Sequence, residues 1–383
     1  MSIRALDRAL YGSFFIYAAT VVATPMCLLA IADEFSLSLT LGGGIEIARS
    51  MLIFAMLLFS GYAASRWGKI KVMTLALAWI AGGLLIYSAA RGYGMILMAM
   101  ALVGMGSGFI EALSNPLVRD LHPRTSAHHL NVSNAFFSIG VSVTVVGIGE
   151  LLTAGVSWRT VFFILGICTL CLVIYFPIAG RGIALPASNH SRFHIRQIIG
   201  NRRFWITGAA LFLGGALESA FTFWSASYLQ LHFFAAPRLS GVGTACFAAG
   251  MAMGRIITAR LSRRFELSSI IMWSAFLGIC VGTAAQLVDG MFIFFIVLIT
   301  AGFSVACYWP TIQIYAAVTM RVDATLLFIY LSCFGISGFG VTPMIMGYIG
   351  DRASLQQAFW IVPICSLLMI GIMAYDRRHG GKG

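Results

Sequence analysis

The chain has 383 residues, of which 60% are hydrophobic and only 10% charged, and its mean hydropathy is +0.91. A soluble domain carries about a quarter charged residues, so this composition excludes a soluble enzyme, a nucleic-acid-binding domain and a disordered chain. What remains is a polytopic membrane protein, in which the net charge of +12 reflects Lys and Arg retained on the cytoplasmic side rather than a nucleic-acid partner.

A helix needs about 20 mostly apolar residues to cross a bilayer. Runs of that kind predict twelve spans, at 9–31, 45–65, 71–90, 94–117, 131–154, 159–180, 204–231, 240–262, 267–288, 291–318, 323–348 and 355–375. The first run lacks a small-residue cleavage site and reads as the first span rather than a leader. The connections are short except for 181–203, which is polar and basic and leaves six spans on each side. The domains expected are an N-terminal six-helix half (1–180), a cytoplasmic linker (181–203) and a C-terminal six-helix half (204–383). With the N-terminus inside, 20 of the 25 basic residues face inward, and Arg49, Arg91, Arg159, Arg238 and Arg352 face outward. That bias places both termini in the cytoplasm, with the chain in the plasma membrane, as a bacterial inner-membrane protein. The expected fold class is all-α, with twelve transmembrane helices in two pseudo-symmetric halves, the architecture of transporters built from repeats. A monomer in the lipid bilayer is expected.

An internal repeat supports the two halves. GYAASRWGKIK (61–71) follows span 2, and GRIITARLSRRF (254–265) closes span 8 at the corresponding place. The first of these resembles the loop 2–3 signature of the major facilitator superfamily, with Gly61, Arg66, Gly68 and Lys69 matching and Ser65 where Asp is usual. The four matching residues are expected to be structural or gating positions. A sharper likeness lies in span 4, where GMGSGFIEALSNP (104–116) resembles the Gly-rich E-x-x-x-N-P pattern of the fucose–galactose–glucose:proton symporter group. LNVSNAFFSIG (130–140), GFSVACYWPTIQIYA (302–316) and GISGFGVTPMIMGYIGDR (335–352) resemble the same group's spans 5, 10 and 11, with Asn134 in place of a frequent His. The resemblance implies the major facilitator fold, proton symport of a sugar, and a Glu at position 111 that faces the central cavity and handles protons and sugar. Span 1 contains no acid, which is a departure from the group, so coupling does not use a span 1 carboxylate.

An ionisable residue deep in a span is costly, so function is its default reading. Two acids read as deep, Glu111 in span 4 and Glu218 in span 7. At helical spacing Gly104, Ser107, Gly108, Glu111 and Asn115 share one small, polar face. Glu111 either exchanges protons there or is a structural hydrogen-bonded acid holding spans 4 and 5 together. Glu218 shares a side of span 7 with Phe221, Thr222 and Ser225, a mixture of acid, aromatic and hydroxyl that suits a polyol. The alternative is that Glu218 bonds a neighbouring helix.

Trp309 and Gln313 form one stripe of span 10, and Tyr308, Thr311 and Tyr315 form another. The first stripe is the candidate solute surface, and Pro310 is expected to bend the helix. Asn134 and Tyr17 are further candidate solute contacts. Glu46 and Arg49, three apart at the outer start of span 2, read as a structural or gating pair.

No HExxH or P-loop pattern is present, so no metal, no cofactor, no enzymatic activity and no direct use of ATP are expected. The expected function is secondary active transport of a small polar solute, a sugar or sugar derivative, by proton symport with alternating access between the halves. Proton-coupled efflux of a drug or amphipathic metabolite is the alternative, disfavoured because 140–155 holds glycines but no proline. A receptor that binds solute without moving it is a third reading, for which the short loops supply no signalling domain.

Overall fold

A computed structural model describes residues 3–183, 185, 195–320 and 324–379. Six helices come first: α1 (Ile3–Phe35), α2 (Leu39–Trp67), α3 (Lys69–Ser88), α4 (Tyr93–Leu121), α5 (Ser126–Thr153) and α6 (Trp158–Ala179). A one-turn helix α7 (Ile195–Ile199) leads into α8 (Arg202–His232), α9 (Pro237–Leu261) and α10 (Leu267–Leu287). Then follow α11 (Met291–Val305), α12 (Tyr308–Met320), α13 (Ala324–Arg352), α14 (Leu355–Ala358) and α15 (Ile361–His379). Among the described residues there is no strand, and twelve helices or helix pairs are long and apolar enough to cross a membrane. Helix is the form to be expected, since each backbone N–H and C=O finds its partner within the same segment.

Several helices overrun the predicted spans because hydropathy marks where apolar residues stop, while the helix continues into polar ones. α5 starts at Ser126, five residues before the predicted span, and so takes His128 and His129 into its first turn. The tenth span is not one helix. α11 ends at Val305, a turn occupies Ala306 and Cys307, and α12 resumes at Tyr308. Pro310 has no N–H to give the carbonyl of Ala306 four residues back, so the break falls there rather than at the proline itself.

The chain divides into two compact units. One comprises Met1–Phe35 with Ile47–Arg192, the other Ser36–Glu46 with Phe193–Gly383. The first two turns of α2 therefore cluster with the second unit, where Asp351 of α13 caps them. Its carboxylate accepts from the backbone N–H of Leu39 at 2.8 Å and of Thr40 at 2.9 Å, and from the Thr40 hydroxyl. These orphan donors at a helix N-terminus are the groups an acidic cap satisfies.

In the first unit, α1 packs on α5 and α6, and α3 on α4 and α6. Backbones meet where residues are small. A Cβ built on Gly104 of α4 would lie 2.3 Å from the carbonyl oxygen of Arg49, and one on Gly108 would lie 2.7 Å from Cβ of Met56. In the second unit α8 is the hub, with α13, α15, α9 and α12 around it. The α8–α13 crossing is very close. A Cβ on Gly215 would meet the carbonyl oxygen of Gly335 at 2.0 Å, and one on Gly338 the carbonyl oxygen of Phe212 at 2.0 Å. Glycines admit such approach because nothing projects between the helix axes.

Candidate functional site

The α4 face contains two kinds of surface. Gly104 and Gly108 are spent on packing against α2, at Arg49, Ile53 and Met56. One turn on, Glu111 is half-buried and Asn115 exposed. The neighbouring hydroxyls Ser107 and Ser114 are buried without a hydrogen-bond partner. The small residues thus bring helices together, and the acid and amide keep access to their surroundings.

Tyr17, nearly buried on α1, meets Phe137 of α5 with ring centroids 5.6 Å apart. Asn134 is exposed on α5, and Phe136 two residues later stacks on Tyr11 at 4.9 Å. α1 and α5 are therefore joined by aromatic pairs that leave the Asn134 amide outside them.

Gly61 lies inside α2, and Arg66 is exposed in its last turn. Gly68 makes the turn into α3 with φ +83°, a left-handed conformation that favours glycine. Lys69 pairs with Asp120 at the end of α4. The acidic partner that Ser65 does not provide inside the loop is thus supplied by another helix; Ser65 instead donates to the carbonyl of Tyr62 at 2.9 Å. Asp120 is one residue that sequence reasoning missed.

Glu46 and Arg49 are more enclosed than their predicted place at the outer start of a span implies. Because α2 begins at Leu39 rather than at 45, both lie well inside the helix, 1% and 2% exposed. Among the described residues, the acids classed as buried are Asp7, Glu46 and Asp376, whereas Glu111 and Glu218 are half-buried. Asp376 of α15 accepts a hydrogen bond from Tyr315 of α12, with the Arg203 guanidinium of α8 at 3.9 Å. Arg203 also donates to the carbonyl of Thr319 at 3.1 Å.

On α8 the predicted side splits in two. Phe221 is 0% exposed, held between Phe247 at 5.7 Å and Phe359 at 5.4 Å. Ser225 beside it donates to the carbonyl of Phe221 at 2.6 Å. These are core positions. Glu218 and Thr222 stay half-buried on the adjoining strip. On α12, Trp309 lies over Gly335 of α13, where a Cβ would come within 2.6 Å of its ring, and Gln313 donates to the Ser332 hydroxyl at 3.0 Å. Tyr308 and Thr311, on the other stripe, are buried. Pro310 is exposed in the first turn of α12.

Near the start of α1, Asp7, His122 and His129 converge from three segments, with His122 Nε2 at 2.8 Å from Asp7 Oδ1. At the other end of this unit Glu34 is held by Arg159 and by the Trp158 indole at 2.7 Å.

The model of the Major Facilitator Superfamily matches residues 9–339. The chain is 22% identical over 379 residues to the fosmidomycin resistance protein of Escherichia coli (strain K12), covering 91% of this chain and 87% of that one. In fold it is similar to a bacterial homologue of the human lysosomal transporter Spinster, at a TM-score of 0.85 and 14% identity, over 98% of this chain and 96% of that one. It is similar also to the Major Facilitator Superfamily transporter FucP, at a TM-score of 0.66 and 17% identity, over 96% and 98% of the two chains. With the family match spanning most of its length, the chain belongs to the Major Facilitator Superfamily and is a membrane transporter rather than an enzyme.

Proposed function

We propose that this chain moves a small polar solute, a sugar or sugar derivative, by proton symport with alternating access. The observation that carries the reading is Glu111, an ionisable, half-buried group in the apolar helix α4. A carboxylate in such surroundings costs desolvation free energy that protonation removes. Its charge state therefore biases whichever arrangement of the helices buries it more, which is how one proton couples to a conformational change. Glu218 is the second coupling candidate. Asn115, Thr222, Trp309, Gln313, Asn134 and Tyr17 are the proposed solute contacts, while Phe221 is left to the core. The amide, hydroxyl and aromatic groups of this set match the hydrogen-bonding edges and apolar faces of a sugar ring. The basic bias of the loops supports cytoplasmic termini in a plasma membrane, and a monomer suffices for the reading.

The test is uptake into proteoliposomes under an imposed proton gradient, over a panel of sugars and sugar acids. Glu111→Gln should abolish accumulation while leaving solute counterflow intact. Accumulation unchanged in that variant would sink the assignment.

A second reading, proton-coupled efflux of a drug or amphipathic metabolite, is favoured by the relative named for fosmidomycin resistance. It expects the solute to leave cells expressing the chain, with the same dependence on Glu111.

A further inference from the structure

We propose that Asp7, His122 and His129 form a binding site for a divalent transition metal of the zinc class. The three residues come from the second turn of α1, the C-terminal end of α4 and the first turn of α5. One donor atom from each lies within 4.8 Å of the other two. His122 Nε2 and Asp7 Oδ1 are 2.8 Å apart. Metal–ligand bonds of about 2.0–2.1 Å put tetrahedral donor atoms about 3.3 Å apart, so a metal would enter between these donors with small side-chain movements. The two imidazole rings are stacked, 8° between planes and 3.5 Å between centroids, so one ring must tilt for both nitrogens to converge on one ion.

The surroundings suit a metal further. The Tyr11 hydroxyl lies 3.2 Å from Nδ1 of His129. With Nδ1–H donating to the Tyr11 oxygen, Nε2 is the nitrogen left for coordination, the arrangement by which outer groups orient metal-binding histidines. Asp7 and His122 keep side-chain exposures of 13% and 14%, enough for entry from water. His128 stands edge-on to His129 at 5.3 Å and is exposed. Two imidazoles and one carboxylate are a borderline donor set, suited to Zn²⁺, Ni²⁺ or Co²⁺ rather than to Ca²⁺ or Mg²⁺. With three protein ligands, a fourth position stays open for water. The bound ion would clamp α1, α4 and α5 together at this end of the unit, whichever solute the chain carries.

The probe is Zn²⁺ itself, titrated into the full chain, purified without a histidine tag, against a chromogenic chelator. One Zn²⁺ per chain is expected, with affinity lowered at least about tenfold in each of His122→Gln and His129→Gln, and unchanged in His232→Gln on α8. Co²⁺ replacing Zn²⁺ in the unaltered chain should give the intense visible absorption of a low-coordinate ion, a readout that needs no variant. Absence of stoichiometric Zn²⁺ and of that absorption would overturn the site and leave the cluster as a hydrogen-bonded staple. Equal affinity in the unaltered chain and both histidine variants would overturn it too.

Discussion

Gly338→Ala places a methyl group where α8 and α13 are closest. The new Cβ would lie 2.0 Å from the carbonyl oxygen of Phe212, against 3.4–4 Å for an ordinary contact. The obstacle is backbone, so no rotamer change relieves it, and the helices must separate by about 1.4 Å along that line. Separation strips the dispersion contacts of the whole seam. Overpacking of this kind costs roughly 1–3 kcal/mol. At about 2–4 °C per kcal/mol for a unit of this size, the melting temperature should fall by about 2–12 °C. Gly82→Ala on α3 is the matched comparison, because nothing lies within 4 Å of its Cβ. There alanine's better helix propensity should stabilise by about 0.5–1 kcal/mol. Melting of the purified chain in one detergent, followed by tryptophan fluorescence, reads both. If Gly338→Ala melts at or above Gly82→Ala, the close crossing of α8 and α13 is wrong.

Other perturbations follow from the same packing. Phe221→Ala should destabilise by about 3–5 kcal/mol through the cavity left between Phe247 and Phe359, seen as a large drop in melting temperature; a neutral result would return Phe221 to the solute surface. Asp120→Asn or Lys69→Met should each cost about 1–3 kcal/mol by leaving a half-buried partner unpaired, and the double exchange Lys69→Asp with Asp120→Lys should recover part of that loss in the same assay. Asp351→Ala should cost about 0.5–2 kcal/mol, as the loss of a cap does, with faster amide exchange confined to the first turn of α2. Tyr315→Phe should loosen α12 from α15 by removing the hydroxyl on Asp376, measurable as increased proteolysis near residue 320.

The spans were legible because lipid imposes one rule on every residue of a run, and a window of about 20 residues averages out local exceptions. The break at Ala306–Cys307 was only half legible. Pro310 announced a bend, but the carbonyl it leaves without its helical donor is that of Ala306, four residues earlier, and the turn lies there. Which face of α8 meets the core was not legible at all. A helical wheel put Glu218, Phe221 and Ser225 on one side, and the wheel does not know that Phe247 and Phe359 stand opposite part of it. Glu46 and Arg49 were misjudged in depth because the helix starts before its apolar run. Asp7, His122 and His129 left no spacing signal, since they come from three segments and meet only after α1, α4 and α5 pack.

The interruption of the tenth span has a mechanical meaning. An unbroken helix transmits torque, so a turn at one end is a turn at the other. At Ala306 and Cys307, both nearly fully buried, the rod is interrupted by a two-residue turn in which Ala306 keeps φ −58° and ψ −31°. Interrupted hydrogen bonding at membrane depth is tolerated where protein covers it, and here it is covered. The turn lets α12 set Gln313 and Trp309 against α13 while α11 keeps its own seat on α9.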